Sequence, residues 1–465
     1  MAGYVPEAKA GPIDWNDPRD IIARSPMGTM QVLIIVITIC LNALDGFDVA
    51  SISYASPGIA QQWGIDNGGL GIVLSMELWG MALGSIFLGG IADKLGRRRT
   101  VLGCLTLMAL GMFLATTARN PVELSVWRVI TGLGIGGMLA AINAVSAEFS
   151  NLRRRDLSVS LMSIGYPVGA VIGGILSRQL LINHDWHSVF YVGAVGTTIL
   201  IPIVFFLVPE SVHWLAQKQP AGALAQINKS LQRIGHRIVR SLPTLPPAAA
   251  KQSVGDIFKP GLIGVTVLLT SAYFFHIMTF YFILKWVPKI IVNFGFPPSS
   301  AAGVLMWTNV GGAIGGALLG ILTQKYGVRG LTIGAMVLST IAVTTFGRTP
   351  HDLYMMSWIC AGAGFATNGA IVGLYALFAK AFPTHVRATG TGFAIGLGRG
   401  GAALAPIIAG YLFEWGYALP TVAITMAAGS LLAAAVLLLL RLGSEKSPQP
   451  TTQRQPQAGM KGAEA

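Results

Sequence analysis

The chain has 465 residues, 53% of them hydrophobic and only 11% charged, with a formal net charge of +13. Soluble domains carry about a quarter charged residues, so this composition excludes a soluble globular protein and indicates a polytopic membrane protein. Its basic residues gather in short connections between apolar segments, which is the positive-inside pattern of membrane topology and argues against a nucleic-acid partner.

Residues 1–28 contain Glu7, Asp14, Asp17 and Asp20 and lack an apolar core, so they read as a cytoplasmic segment rather than a secretory signal. Stretches that match the ~20 residues of a membrane-crossing helix follow at 29–50, 69–92, 100–118, 121–147, 157–181 and 188–208. Six more lie at 260–288, 299–323, 331–347, 353–379, 389–413 and 417–441. The expected fold is all-α: twelve transmembrane helices in two six-helix bundles, 29–208 and 260–441, joined by a cytoplasmic linker at 209–259. Within the linker, 241–250 reads as extended and mobile. The tail 442–465 is rich in Gln, Pro, Ser and Thr and reads as disordered. Cys40, Cys104 and Cys360 all fall in apolar stretches, so no disulfide, metal or cofactor is expected.

Charge alternates across the connections. Lys94 and Arg97–Arg99, Arg153–Arg155, Lys325 with Arg329, and Lys380 with Arg387 share one side with the basic linker, Lys251 included. Both termini are therefore expected in the cytoplasm.

The first span carries Asp45 and Asp48 in the run Leu-Asp-Gly-Phe-Asp-Val. Intramembrane carboxylates are costly and mark ion, proton or ligand paths. Three residues apart, these two share a helix face, and Gly46 admits a neighbouring helix or a ligand. The plainer reading is a helix-bridging role. Glu77 in the second span is a third such acid, a second proton carrier or a vestibule hydrogen-bonding group. Asp93 with Arg97, and Glu148 and Asp156 beside the arginines that include Arg154, read as ion-pair latches of a gate. Arg128, about seven residues inside the fourth span, either takes part in proton transfer or snorkels to the interface.

In the fifth span, Gly165 to Gly174 has the Gly-Pro-rich character of proton antiporters. The seventh span brings Tyr273 and His276 within a run of aromatics. Ring stacking on a substrate competes there with plain packing, and a titrating His with a helix-bridging one. Asn143, Asn309 and Asn368 are further polar candidates for substrate contact, with helix bridging as the alternative. Arg399 lies about ten residues into the eleventh span, near half-depth at ~1.5 Å per residue. It is either a two-pronged clamp for a substrate carboxylate or the partner of Asp45 or Asp48. The halves are related: Lys94, Gly96 and Arg98 align with Lys325, Gly327 and Arg329, while Arg154 aligns with Arg387 and Gln324 replaces Asp93. Parallel repeats place a substrate site between two rocking bundles.

Gly89 to Arg99, Arg128 to Gly137 and Pro209 to Leu215 resemble the loop, fourth-helix and sixth-helix motifs of the major facilitator superfamily. The resemblance covers nearly the whole chain. The Asp-Gly-Phe-Asp run, with Arg399 in Gly-Arg-Gly-Gly, is similar to the aromatic acid:proton symporters within it. That resemblance implies uptake of a benzoate-like or cinnamate-like acid across a bacterial inner membrane, with Asp45 and Asp48 required. Partners are then the aromatic carboxylate, protons and the bilayer; separately, the protein is expected to act as a monomer.

Such an acid is anionic at neutral pH, and an inside-negative potential opposes it by about 2.3 kcal/mol per charge per 100 mV. One accompanying proton cancels that charge. Rival readings are a proton-antiport exporter of drugs or metabolites, a sugar or polyol symporter, and a membrane receptor. No constellation of nucleophile, base or metal ligands supports an enzyme.

Overall fold

The computed structural model describes residues 14–88, 90–243, 254–323, 325–383 and 386–440, except for the side chains of Val254 and Ala388. Most of the stretch expected to be extended, Lys251, Gln324 and the expected disordered tail lie outside the described residues.

The chain runs through α1 (Pro18–Arg24), α2 (Thr29–Trp63), α3 (Asn67–Phe87), α4 (Ile91–Leu95), α5 (Arg97–Ala115), α6 (Pro121–Glu148), α7 (Arg155–Asn183) and α8 (His187–Leu207). Two linker helices follow, α9 (Val212–Lys218) and α10 (Ala223–Arg233), then a short 3-10 turn (Val254–Phe258). The second half comprises α11 (Ile263–Asn293), α12 (Pro298–Leu322), α13 (Val328–Phe346), α14 (Leu353–Ala381), α15 (Arg387–Glu414) and α16 (Leu419–Leu439). Among the described residues, twelve of these helices are long and apolar enough to cross a membrane.

Two spans differ from the expected bounds for visible reasons. The first continues from residue 50 to Trp63 because its serine-rich end is buried, not lipid-facing. Ser51 donates its hydroxyl to the Asp48 carbonyl at 2.6 Å and Ser56 to the Ser53 carbonyl at 2.9 Å. The second bond serves the carbonyl that Pro57, lacking an N–H, leaves without its helical donor. The second span stops at Phe87, short of residue 92, and α4 forms a separate turn that ends at Gly96 with φ +100°.

The halves repeat one packing scheme. α2 packs on α7, α3 on α6, and α5 on α6 and α8. Correspondingly α11 packs on α15, α12 on α14, and α13 on α14 and α16. Close helix crossings use small residues. Gly46 of α2 faces the Tyr166 carbonyl of α7, and Gly311 and Gly315 of α12 face the carbonyls of Ala361 and Phe365 in α14. The neighbour that Gly46 admits is thus a helix.

The bundles meet through α3 with α15, α7 with α12, and α2 with α11. We call the end of the molecule that carries the α8–α11 linker the linker side. The close approaches between bundles lie towards the opposite, far side. There Gly71 faces the Pro406 carbonyl, Gly410 faces the Asn67 carbonyl, and Gly174 abuts Met306.

Candidate functional site

The site begins with a glycine-lined crossing. Gly80 and Gly84 of α3 face the carbonyls of Val129 and Leu133, while Gly132 and Gly136 of α6 face those of Glu77 and Met81. A Cβ at any of these positions would strike the opposing backbone, so the two helices touch main chain to main chain. This register brings Arg128 Nη2 to 2.6 Å from Glu77 Oε1, with both side chains fully buried. Arg128 donates to the Asp48 carbonyl and the Met112 sulfur, each at 2.9 Å, and its Cζ lies 5.2 Å from the Phe190 ring centre. Snorkelling is therefore not its conformation: the guanidinium points into the bundle.

A second cation completes the cluster, and sequence reasoning missed it. Lys285 of α11 is fully buried, donates to the Val49 carbonyl of α2 at 2.6 Å and sits 3.4 Å from Glu77 Oε2. Its signal was present as a lone cation inside the apolar run Phe282-Ile283-Leu284-Lys285-Trp286.

Asp45 and Asp48 are buried on α2, and among the described residues none of their carboxylate oxygens has a hydrogen-bond partner. Asp45 lies within electrostatic reach of Arg399, and Asp48 of Arg128 and Glu77. Three acids and three bases thus form one interior group, with formal charges that cancel when all are ionised.

Arg399 of α15, half-buried, reaches across to the other bundle. It donates to the Met81 carbonyl at 2.9 Å and to the Ser85 hydroxyl of α3. Among the described residues it forms no ion pair, so the direct pairing with Asp45 or Asp48 is not its arrangement. Beside it, Gly398 abuts the Tyr273 ring, whose hydroxyl lies 3.3 Å from that of Tyr375. Tyr166 of α7 and Tyr281 of α11 face each other across the bundles.

The remaining candidates are placed as follows. His276 has both ring nitrogens engaged at 2.9 Å, with the Ser430 hydroxyl and the Thr367 carbonyl, which leaves neither for a ligand. Asn368 donates to the Gly312 carbonyl at 2.7 Å and so ties α14 to α12. Asn143 and Asn309 donate to the carbonyl four residues back on their own helices, at 2.8 and 3.0 Å, and keep their amide oxygens for other donors.

The latch residues assemble on the linker side, within the first bundle. Arg97 binds the Asp93 carboxylate at 2.8 Å and Glu148 at 3.1 Å, and Glu148 also accepts from the Ser211 hydroxyl. Glu148 therefore pairs with Arg97 and not with the Arg153–Arg155 run. Arg154 stands at the N-cap position of α7, where its backbone N–H donates to the Asn151 side chain at 3.0 Å and its carbonyl accepts from the Ser158 N–H at 2.8 Å. Glu210 accepts from the backbone N–H groups of Arg97 at 2.7 Å and Arg98 at 3.2 Å. Its carboxylate fills the space beside Gly96 where a Cβ would sit. It thus caps the N-terminus of α5, where a negative charge meets unsatisfied N–H groups.

Arg98 and Arg329, aligned by the repeat, do equivalent work: Arg98 binds the Phe205 carbonyl at 2.5 Å and Arg329 that of Leu437 at 2.9 Å. Each caps the last helix of its own bundle. Among the described residues, Arg387 reaches the Phe382 carbonyl, at 3.4 Å. In the linker, burial pulls the His213 pKa below its ordinary value, aided by Arg155 and Arg19 and opposed by Glu148 and Asp17.

The profile of the Major Facilitator Superfamily matches residues 38–308 and 269–463. The gallate transporter of Pseudomonas putida is 30% identical over 411 residues, covering 87% of this chain and 90% of that protein. The 3-(3-hydroxy-phenyl)propionate transporter of Escherichia coli is 30% identical, covering 91% of this chain and 98% of that protein. The 4-hydroxybenzoate transporter PcaK of Acinetobacter baylyi is 29% identical, covering 83% and 86% respectively. Among solved structures, the inward-open xylose transporter XylE of E. coli superposes with a TM-score of 0.67 at 18% identity, covering 90% of this chain and 98% of that one. That likeness concerns the fold alone.

Proposed function

The chain belongs to the major facilitator superfamily, and on that premise we propose that it takes up an aromatic carboxylic acid with protons across a bacterial inner membrane. Full-length relatives that carry gallate, 3-(3-hydroxy-phenyl)propionate and 4-hydroxybenzoate support the substrate class. The observation that carries the proton coupling is the pair Asp45 and Asp48, buried in the first bundle with carboxylate oxygens that, among the described residues, no donor serves. A buried carboxyl of this kind takes and releases a proton as its surroundings change.

Arg399 holds the substrate's carboxylate, and Tyr273, Tyr281 and Tyr375 offer faces and hydroxyls to the ring. His276, with both ring nitrogens committed to helix bonds, stands outside the substrate set. Asn143, Asn309 and Asn368, each with only its amide NH2 so engaged, stay candidates for ring hydroxyls. The basic linker side faces the cytoplasm, and the protein works as a monomer. The Gly-Pro motif of α7 does not require export, because Gly165 and Gly169 lie against the Ile39 and Ala43 carbonyls of α2, a packing role.

Uptake of labelled 4-hydroxybenzoate, gallate and 3-(3-hydroxyphenyl)propionate into cells, with and without a protonophore, tests this reading. Protonophore-sensitive accumulation of at least one acid is expected in the wild type. Asp45→Asn and Asp48→Asn, which keep volume but cannot ionise, are each expected to reduce it to background with normal membrane levels. Unchanged accumulation in both variants would sink the coupling role.

A further inference from the structure

Lys285 is the interior cation for which the transport reading has no use, and its two acceptors both belong to the other bundle. Val49 lies on α2 and Glu77 on α3, whereas Lys285 lies on α11. It sits about 12 Å from the far end of its helix at 1.5 Å per residue. The tight bundle contacts of that same half, Gly174 on Met306 and Gly71 on the Pro406 carbonyl, surround the same seam. Pro288, one turn further along α11, removes an N–H from that helix just beyond the lysine.

We infer that Lys285 is the strut of the far-side gate: its ammonium ties α11 to α2 and α3 while that side is closed, and must release both acceptors for it to open. The inference rests on alternating access but not on the identity of the substrate. Glu77 has two cations, and the closer one, Arg128, belongs to its own bundle. When the bundles part, Glu77 keeps Arg128, while Lys285 loses every acceptor it has here. Leaving a buried ammonium unpaired is the costly event, so the strut resists opening until water or an anion reaches it. An arriving carboxylate is suited to take over from Glu77, which makes the strut responsive to an anionic substrate.

Spin labels at His184→Cys and Ser299→Cys, on the far ends of α7 and α12, read the opening directly. Cys40→Ser removes the exposed one of the three native cysteines. In lipid nanodiscs without substrate, the wild type is expected to show mainly the short distance. Lys285→Met, apolar and similar in length, should raise the ratio of long to short distances about tenfold, the equivalent of 1.4 kcal/mol. Lys285→Arg, which can reach the same two oxygens, should restore the short distance. An unchanged distribution in Lys285→Met, or equal opening in the Met and Arg variants, would overturn the strut. The readout needs no transported acid, so it stands even if every uptake assay above fails.

Discussion

At the scale of single residues, Arg399 carries the sharpest expectation. Its guanidinium donates here to neutral acceptors, the Met81 carbonyl and the Ser85 hydroxyl, and among the described residues it forms no ion pair. Arg399→Lys keeps that charge and loses the planar fork, so affinity for an aromatic acid should fall about tenfold, the loss of one charge-assisted hydrogen bond. The amide analogue should bind the wild type weakly and lose little more in Arg399→Ala. Calorimetry with acid and amide on both proteins closes a double-mutant cycle. A coupling energy near zero would leave Arg399 as a bridge between bundles only.

The charges at this site were legible as residues, since each interrupts an apolar run. Their partners were not. Met81 and Val49 act through backbone carbonyls, which carry no sequence signature. Glu77 meets Arg128 only through a register of four glycines on helices that are not consecutive. Lys285 carried the same signal as the acids, but the dense aromatics before it offered a competing explanation of that span.

At the scale of elements, the linker-side network is a set of helix caps as much as a latch. Asp93 is 72% exposed while Arg97 is 11% exposed, and exposed pairs of this kind contribute little. Glu210, by contrast, accepts three backbone N–H groups, those of Arg97, Arg98 and Ser211. Glu210→Ala should therefore destabilise the protein by about 1 kcal/mol, the usual cost of a lost N-cap. Glu210→Gln, still an acceptor, should cost less. Thermal unfolding of purified protein reads this, and equal losses in both variants would assign the effect to charge instead of capping. The motif spacing made this loop recognisable. It did not reveal that the acid of the sixth-helix motif closes the third span, because that contact joins residues more than a hundred positions apart.

At the scale of the whole molecule, hydropathy located all twelve spans, because lipid requires a long apolar helix at each crossing. Their ends were less legible where polar residues are buried in protein, as along Ser51–Ala60. The repeat read from Lys94, Gly96 and Arg98 appears in three dimensions as matching helix pairings and matching arginine caps. The proposed orientation, with the basic linker side in the cytoplasm, has a direct test: in intact cells a membrane-impermeant maleimide should label His184→Cys, on the far side, and reach Arg154→Cys only after permeabilisation. The reverse pattern would invert the topology.

The ion cluster also bears on how the protein is made. Glu77, Arg128 and Lys285 come from the second, fourth and seventh spans, so no two arrive at the membrane together. A charge at the centre of an inserting helix costs ~2.5–3.5 kcal/mol. During synthesis in order, each cation reaches a bilayer where Glu77 already waits. The second half made alone would have to insert its first helix with Lys285 unmet. We expect that helix to integrate poorly from a separately translated second half, and Lys285→Leu to restore it. Equal integration of the two, read by reporter fusions after Asn293, would separate biosynthetic order from the ion cluster.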